Sequence, residues 1–277
     1  MTVTSADTTV HLDPNRHVPG VRRPGFPETL HAEWLKFWSV RSTTWSVIAM
    51  LALGAGLTTL ICATNAEWLA SSEADESPGA FITFGMTFAQ ITAIVLGTLA
   101  VTSEYGTGMI RATLAATPRR GSVLAAKGVV LVGTLFVAGT ATAFAGYLGG
   151  NYFLDREGIG LALSDDGVLR SMVGSGLYMA GLGLLAAAVG LLVRHTAAAL
   201  SIVLALVFVV GTMVVLLPGA WGEWSSKLMP GNAGASLATP VSFNPNLLDP
   251  WVGFAVFCAE VAVVLLVGLL VFRRRDA

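Results

Sequence analysis

Residues 172–217 read MVGSGLYMAGLGLLAAAVGLLVRHTAAALSIVLALVFVVGTMVVLL, two apolar runs parted only by Arg194-His195-Thr196. A helix rises about 1.5 Å per residue and needs roughly 20 apolar residues to cross about 30 Å of hydrocarbon. Each run has that length. The charged triplet has room only for a tight turn, so the two runs are predicted to be antiparallel neighbours. Outward from this stretch, further runs of the same kind occupy residues 45–62, 81–101, 123–148 and 251–272. Six continuous runs predict an all-α integral membrane protein with six transmembrane helices. A β-barrel would instead show short segments of alternating polarity.

Composition points the same way. Hydrophobic residues make up 54% of the 277-residue chain and charged residues only 12%, against about 25% charged in a soluble domain. The charges that remain lie mostly between the runs. Cys62 and Cys258 sit inside apolar runs, where they read as small packing residues and give neither a disulfide framework nor a metal spacing.

Lysine and arginine set the predicted orientation. With both termini in the cytoplasm, thirteen of the sixteen basic residues lie inside, and only Arg156, Arg170 and Lys227 lie outside. The acids Glu67, Glu73, Asp75, Glu76, Asp155, Glu157, Asp165, Asp166, Glu223 and Asp249 all fall outside. Residues 1–27 are polar, rich in Pro and Arg, and lack the apolar core of a secretory signal, so they are expected to form a disordered cytoplasmic tail. The membrane domain is expected over 28–272, and residues 273–277 form a basic cytoplasmic C-terminus.

Three connecting segments carry more pattern than anchoring needs. In residues 28–43, Leu30, Trp34, Phe37 and Trp38 share one helical face, and Glu33, Lys36 and Arg41 lie toward the other. Such an amphipathic helix should lie in the headgroup plane, as a plain anchor or as an elbow that also meets a cytoplasmic partner. The second cytoplasmic loop, 103–122, reads SEYGTGMIRATLAATPRRGS. Met109 to Ala115 can form a short helix with Ile110 and Leu114 on one side and Arg111 on another, ended by Pro118. Its apolar side needs a cover, either the chain's own helices or a partner. The external connection, 218–249, mixes Trp221, Trp224, Leu228, Met229 and Leu237 with Gly, Pro and Asn. It is predicted to form short helices that dip into the outer leaflet or cap the bundle, as a lid, gate or plain cap.

Within the spans, the glycines of the fourth (Gly174, Gly176, Gly181, Gly183, Gly190) predict close helix packing. Glu260 lies near the middle of the sixth span, where a carboxylate costs about 2.5–3.5 kcal/mol on insertion scales. It should face the interior, with Gln90 and Thr92 of the second span as candidate partners. The sequence contains no GxxxxGK[ST] phosphate loop, no HExxH and no GxSxG, and its four histidines are scattered. No catalytic, cofactor-binding or metal-binding constellation is visible, and nothing points to nucleic acid.

The loop SEYGTGMIRATLAATPRR is similar to the E-Y-x-x-G-T-I-R-x-T-L…T-P-R-R pattern of permease subunits of type-two ATP-binding-cassette (ABC) transporters, the bacterial exporter group. Met109 stands where that pattern usually has Thr. Residues 30–45, LHAEWLKFWSVRSTTW, resemble the family's elbow helix, and KLMPGNAG resembles its loop between spans five and six. The resemblance implies a non-catalytic permease subunit in a bacterial plasma membrane. It implies ATPase docking through Glu104, Tyr105, Met109, Ile110, Arg111, Leu114, Arg119 and Arg120, with Trp34, Phe37 and Trp38 on the elbow. ATP and Mg would be held by a separate ATPase subunit, and two permease chains would pair as a homodimer or heterodimer. A proton-coupled secondary carrier working through Glu260, and an accessory membrane subunit without transport, are the competing readings.

Overall fold

A computed structural model describes residues 25–106, 120–244 and 247–275, and among them there is no β-strand. The helices are α1 (Phe26–Ser39), α2 (Arg41–Leu51), α3 (Leu57–Ala70), α4 (Pro78–Phe81), α5 (Met86–Gly106), α6 (Arg120–Arg156), α7 (Val168–Val193), α8 (Thr196–Leu204), α9 (Gly211–Val215), α10 (Gly219–Lys227), α11 (Pro230–Ala238) and α12 (Pro250–Arg275). A π-helical segment, Ala52–Gly56, joins α2 to α3, and another, Ala205–Val210, joins α8 to α9.

Six of the resulting rods are long and apolar enough to cross a membrane: Arg41–Ala70, Pro78–Gly106, Gly121–Arg156, Val168–Val193, Thr196–Val214 and Pro250–Val271. They coincide with the six runs of the sequence, with the first span extended by a turn or more at both ends and the second and third at their C-terminal ends. The fourth and fifth part at Arg194, whose φ of 58° and ψ of 17° place it in the left-handed region. A non-glycine residue pays a steric penalty there, and Arg194 ends the fourth span with its N–H still donating to the Gly190 carbonyl.

α1 begins at Phe26 because Pro27 sits in its first turn, where a missing N–H breaks no helical bond. It ends where Val40 adopts an extended backbone, φ −87° and ψ 119°, so the segment expected as one piece over 28–43 divides into α1 and the start of the first span. Thr29 and Glu33 are buried against the bundle, and Trp34, Leu35 and Trp38 are exposed. The Glu33 side turns toward protein and the two tryptophans away from it, while Phe37 packs against the core.

The fourth span, α7, is the most buried of the six, and α5, α6 and α12 pack around it. Its glycines are the reason. A Cβ on Gly97 of α5 would fall on the backbone of Gly183, and a Cβ on Gly176 would fall on the Phe136 carbonyl and Thr140 of α6. Backbones this close gain dispersion that side chains would prevent.

The connection after the fifth span forms two short helices with opposite surroundings. α10 exposes Trp221 and Trp224, whereas α11 is buried except for half-buried Asn232 and Ala235. A buried helix end needs partners for its last carbonyls, and α7 supplies them. Arg170 donates to the carbonyls of Ser236 (3.3 Å) and Thr239 (3.4 Å), and Ser175 Oγ donates to that of Ala238 (3.3 Å).

Gly97→Val is expected to destabilise the bundle by about 3 kcal/mol or more, since its methyls meet backbone that cannot yield. Gly133→Ala, on a face where a Cβ meets nothing within 4 Å, should be neutral or stabilising. Thermal unfolding of the two purified variants in detergent checks the contrast.

Candidate functional site

The second span leaves the bundle through Val101-Thr102-Ser103-Glu104-Tyr105-Gly106, and three other elements converge on that exit. Glu104 is buried, its side chain 4% exposed. Lys36 Nζ of α1 donates to Glu104 Oε1 at 2.5 Å, and Lys127 Nζ of α6 donates to the same oxygen at 2.6 Å. Lys127 also donates to Glu33 Oε2 of α1 at 2.8 Å. Glu33 and Lys36 lie one helical turn apart, with Glu33 Oε1 3.9 Å from Lys36 Nζ. Two carboxylates and two ammonium groups thus form a closed cluster without net charge, tying α1 to the end of α5 and the start of α6. Phe37 lines a cavity of about 130 Å³ beside these four charges.

The turn between the fourth and fifth spans holds the same exit from another direction. The Arg194 guanidinium stands over the Tyr105 ring, 5.2 Å from its centroid, a cation–π contact. Thr196 Oγ1 donates to Thr102 Oγ1 at 2.8 Å, and Thr102 Oγ1 donates in turn to the Thr98 carbonyl at 2.9 Å. His195 Nδ1 accepts from the Ala198 N–H at 3.4 Å and so caps the fifth span.

Of the residues singled out from the sequence, Glu104, Tyr105 and Phe37 therefore meet at one place. Trp34 and Trp38 stay on the outer face of α1, their rings 5.8 Å apart. Arg120 opens α6. Met109, Ile110, Arg111, Leu114 and Arg119, and the short helix expected over 109–115, lie outside the described residues. By sequence alone, Lys127 counts only as a cytoplasmic charge and Lys36 and Glu33 only as a polar helix face. The signal that could have found them is Lys127 itself, a cation more than a turn inside an apolar run, which needs an anion close by.

The pairing expected for Glu260 does not form. α12 packs against α7 and α11, so the fourth span separates it from the second. Gln90 instead accepts from the Tyr178 hydroxyl at 2.8 Å and donates to the Thr87 carbonyl at 2.9 Å, and Thr92 donates to the Ala89 carbonyl. Glu260 Oε2 is buried and has no hydrogen-bond partner.

Chemically, the exit cluster joins helices; it has no nucleophile paired with a base. Among the described residues no group of His, Cys, Asp or Glu could hold a metal ion. No protein-family model matches the chain, and no curated protein matches it either.

Lys127→Met should leave two buried carboxylates to share the single Lys36 ammonium and cost about 3–5 kcal/mol. Lys36→Met should cost about 1 kcal/mol or less, because the Lys36 side chain is 30% exposed against 11% for Lys127. Adding Glu104→Gln to Lys127→Met is expected to recover part of the loss. A double-mutant cycle on thermal unfolding measures all three.

Proposed function

We propose that the chain is the permease subunit of an ATP-driven exporter and docks a separate ATPase through its second cytoplasmic loop, residues 103–122. The observation that carries the reading is the tethering of that segment's two ends. Glu104 lies near the loop's start on α5 and Lys127 about two turns into α6, which begins at Arg120, and these two residues are bonded to each other and to α1. A push delivered to such a segment reaches α1 and two spans at once, because the ion pairs hold the three helices as one body. The motif resemblance around Glu104 to Arg120 supports the same reading.

In this arrangement both termini face the cytoplasm, as the lysine and arginine distribution favours. The chain sits in a bacterial plasma membrane with Trp34 and Trp38 of α1 turned to lipid at the interface. Two permease chains pair with two ATPases, nucleotide chemistry resides on the partner, and the spans form the translocation path.

The test is purification of the tagged chain from its host membrane, assayed for co-purifying ATP hydrolysis. Wild type should bring down an ATPase, and Arg111→Glu/Leu114→Asp should lose it while keeping its elution position on size exclusion. Absence of an ATPase from intact wild-type protein would overturn the proposal.

A proton-coupled carrier is the second reading, favoured by the buried and unpartnered Glu260 Oε2. In proteoliposomes holding this chain alone, solute-dependent collapse of an imposed pH gradient, abolished by Glu260→Gln, would support it. A gradient that persists whatever solute is added rules it out.

A further inference from the structure

The end of the bundle that holds the exit cluster also carries a groove of about 660 Å³. α6 walls it from Gly121 to Gly133, α7 lines it from Leu184 to Leu191, and α12 bounds it at Leu265 and Leu269. Its lining is aliphatic or glycine except for Lys127, whose ammonium is spent on Glu104 and Glu33. A Cβ on Gly121, Gly128 or Gly133 would meet nothing within 4 Å, so bare backbone leaves the groove wide. Val129 on its rim is 53% exposed, and the groove opens sideways toward the surrounding bilayer.

Its dimensions are those of a lipid chain. The helix from Gly121 to Gly133 covers about 18 Å, close to the roughly 15 Å of hydrocarbon in one leaflet. A dry apolar cavity of about 150 Å³ holds one benzene, so by the same measure this groove takes about 25 carbon atoms.

The charge at its mouth says which lipid. Arg120 stands one turn before Leu124 and two before Gly128, on one helical stripe of α6. On α12, Leu265, Leu269 and Arg273 follow with the same spacing, and Arg274 and Arg275 end the helix. Both apolar stripes thus run out to an arginine at the same end of the bundle. No Asp or Glu occurs between Glu104 and Asp155 to neutralise the α6 side. A second copy seated here by a two-fold axis would set these arginines against their own counterparts. Residues 107–119 carry Arg111 and Arg119 and no acid, so that segment would also bring like charge to the mouth. An anionic headgroup brings the opposite charge, and basic pockets between helices on the cytoplasmic side favour such headgroups.

We propose that this groove binds an anionic phospholipid of the cytoplasmic leaflet, with an acyl chain along α6 between α7 and α12 and the phosphate at Arg120 and Arg273. The site rests on the cytoplasmic placement of this end of the bundle, as the exporter reading does, but not on an ATPase, so either can fail without the other.

The experiment incubates the purified chain in mild detergent with dioleoyl phosphatidylglycerol or dioleoyl phosphatidylcholine and counts retained lipid by native mass spectrometry. The wild type should hold one phosphatidylglycerol per chain, at least about fivefold more tightly than phosphatidylcholine. Arg120→Gln/Arg273→Gln should bring the two lipids within about twofold of each other. Gly128→Phe, which fills the groove from a position where a Cβ meets nothing, should abolish retention of both. The arginine pair, at helix ends, decides the matter if Gly128→Phe fails to fold. Equal retention of the two lipids by the wild type, or a preference unchanged by the arginine pair, would overturn the proposal. So would a lipid-free wild-type monomer, which gives the groove to residues 107–119, or a dimer that Gly128→Phe converts to monomer, which gives it to a second copy.

Discussion

Hydrocarbon offers a polar group no water, so each one carried into the six-helix bundle must find its partner within protein or a bound molecule. That constraint explains why Glu104 gathers two lysines from separate helices, and why Lys127 is shared between two carboxylates. It explains the Arg170 guanidinium at the carbonyl end of α11, a helix that would otherwise enter the bundle with bare acceptors. It also makes the exceptions informative. The Thr83, Thr98, Thr134 and Thr140 hydroxyls and Glu260 Oε2 are buried without partners, and Glu260 is the starting point of a functional argument.

Packing sets where those polar encounters happen. The fourth span reaches the centre because its glycines admit neighbouring backbones, and it then serves as the support for everything around it. α5 and α6 lie against it, so their ends at Glu104 and Lys127 are brought within one hydrogen bond of each other. α11 leans on its other half through Tyr178, Arg170 and Ser175. The charge cluster and the contacts of α11 are thus built at opposite ends of a common support.

The faces of α1 show how membrane burial inverts the usual reading of an amphipathic helix. In water, Glu33 and Lys36 would be the solvated side and Trp34 and Trp38 the buried one. Here Glu33 and Lys36 meet charges on α5 and α6, because an ion pair shielded by helices is better placed than one in lipid, and the tryptophans keep the outward position. The periodicity identified the two faces correctly. What each face meets depended on neighbours about 70 to 95 residues away in the chain, as the separations of 68 and 94 in its two ion pairs show.

The sequence by itself determined the six apolar rods, the tight turn at Arg194-His195-Thr196, the short helices after the fifth span and the close packing at the fourth span's glycines. These follow from composition and local spacing, because crossing hydrocarbon demands a continuous apolar helix wherever it occurs. Only the tertiary structure decided that Glu104 pairs with Lys36 and Lys127, and that Tyr178 takes Gln90 and leaves Glu260 unpartnered. Those outcomes depend on which helices become neighbours and at what rotation. No local pattern encodes that, because it results from backbones settling against one another at their smallest residues.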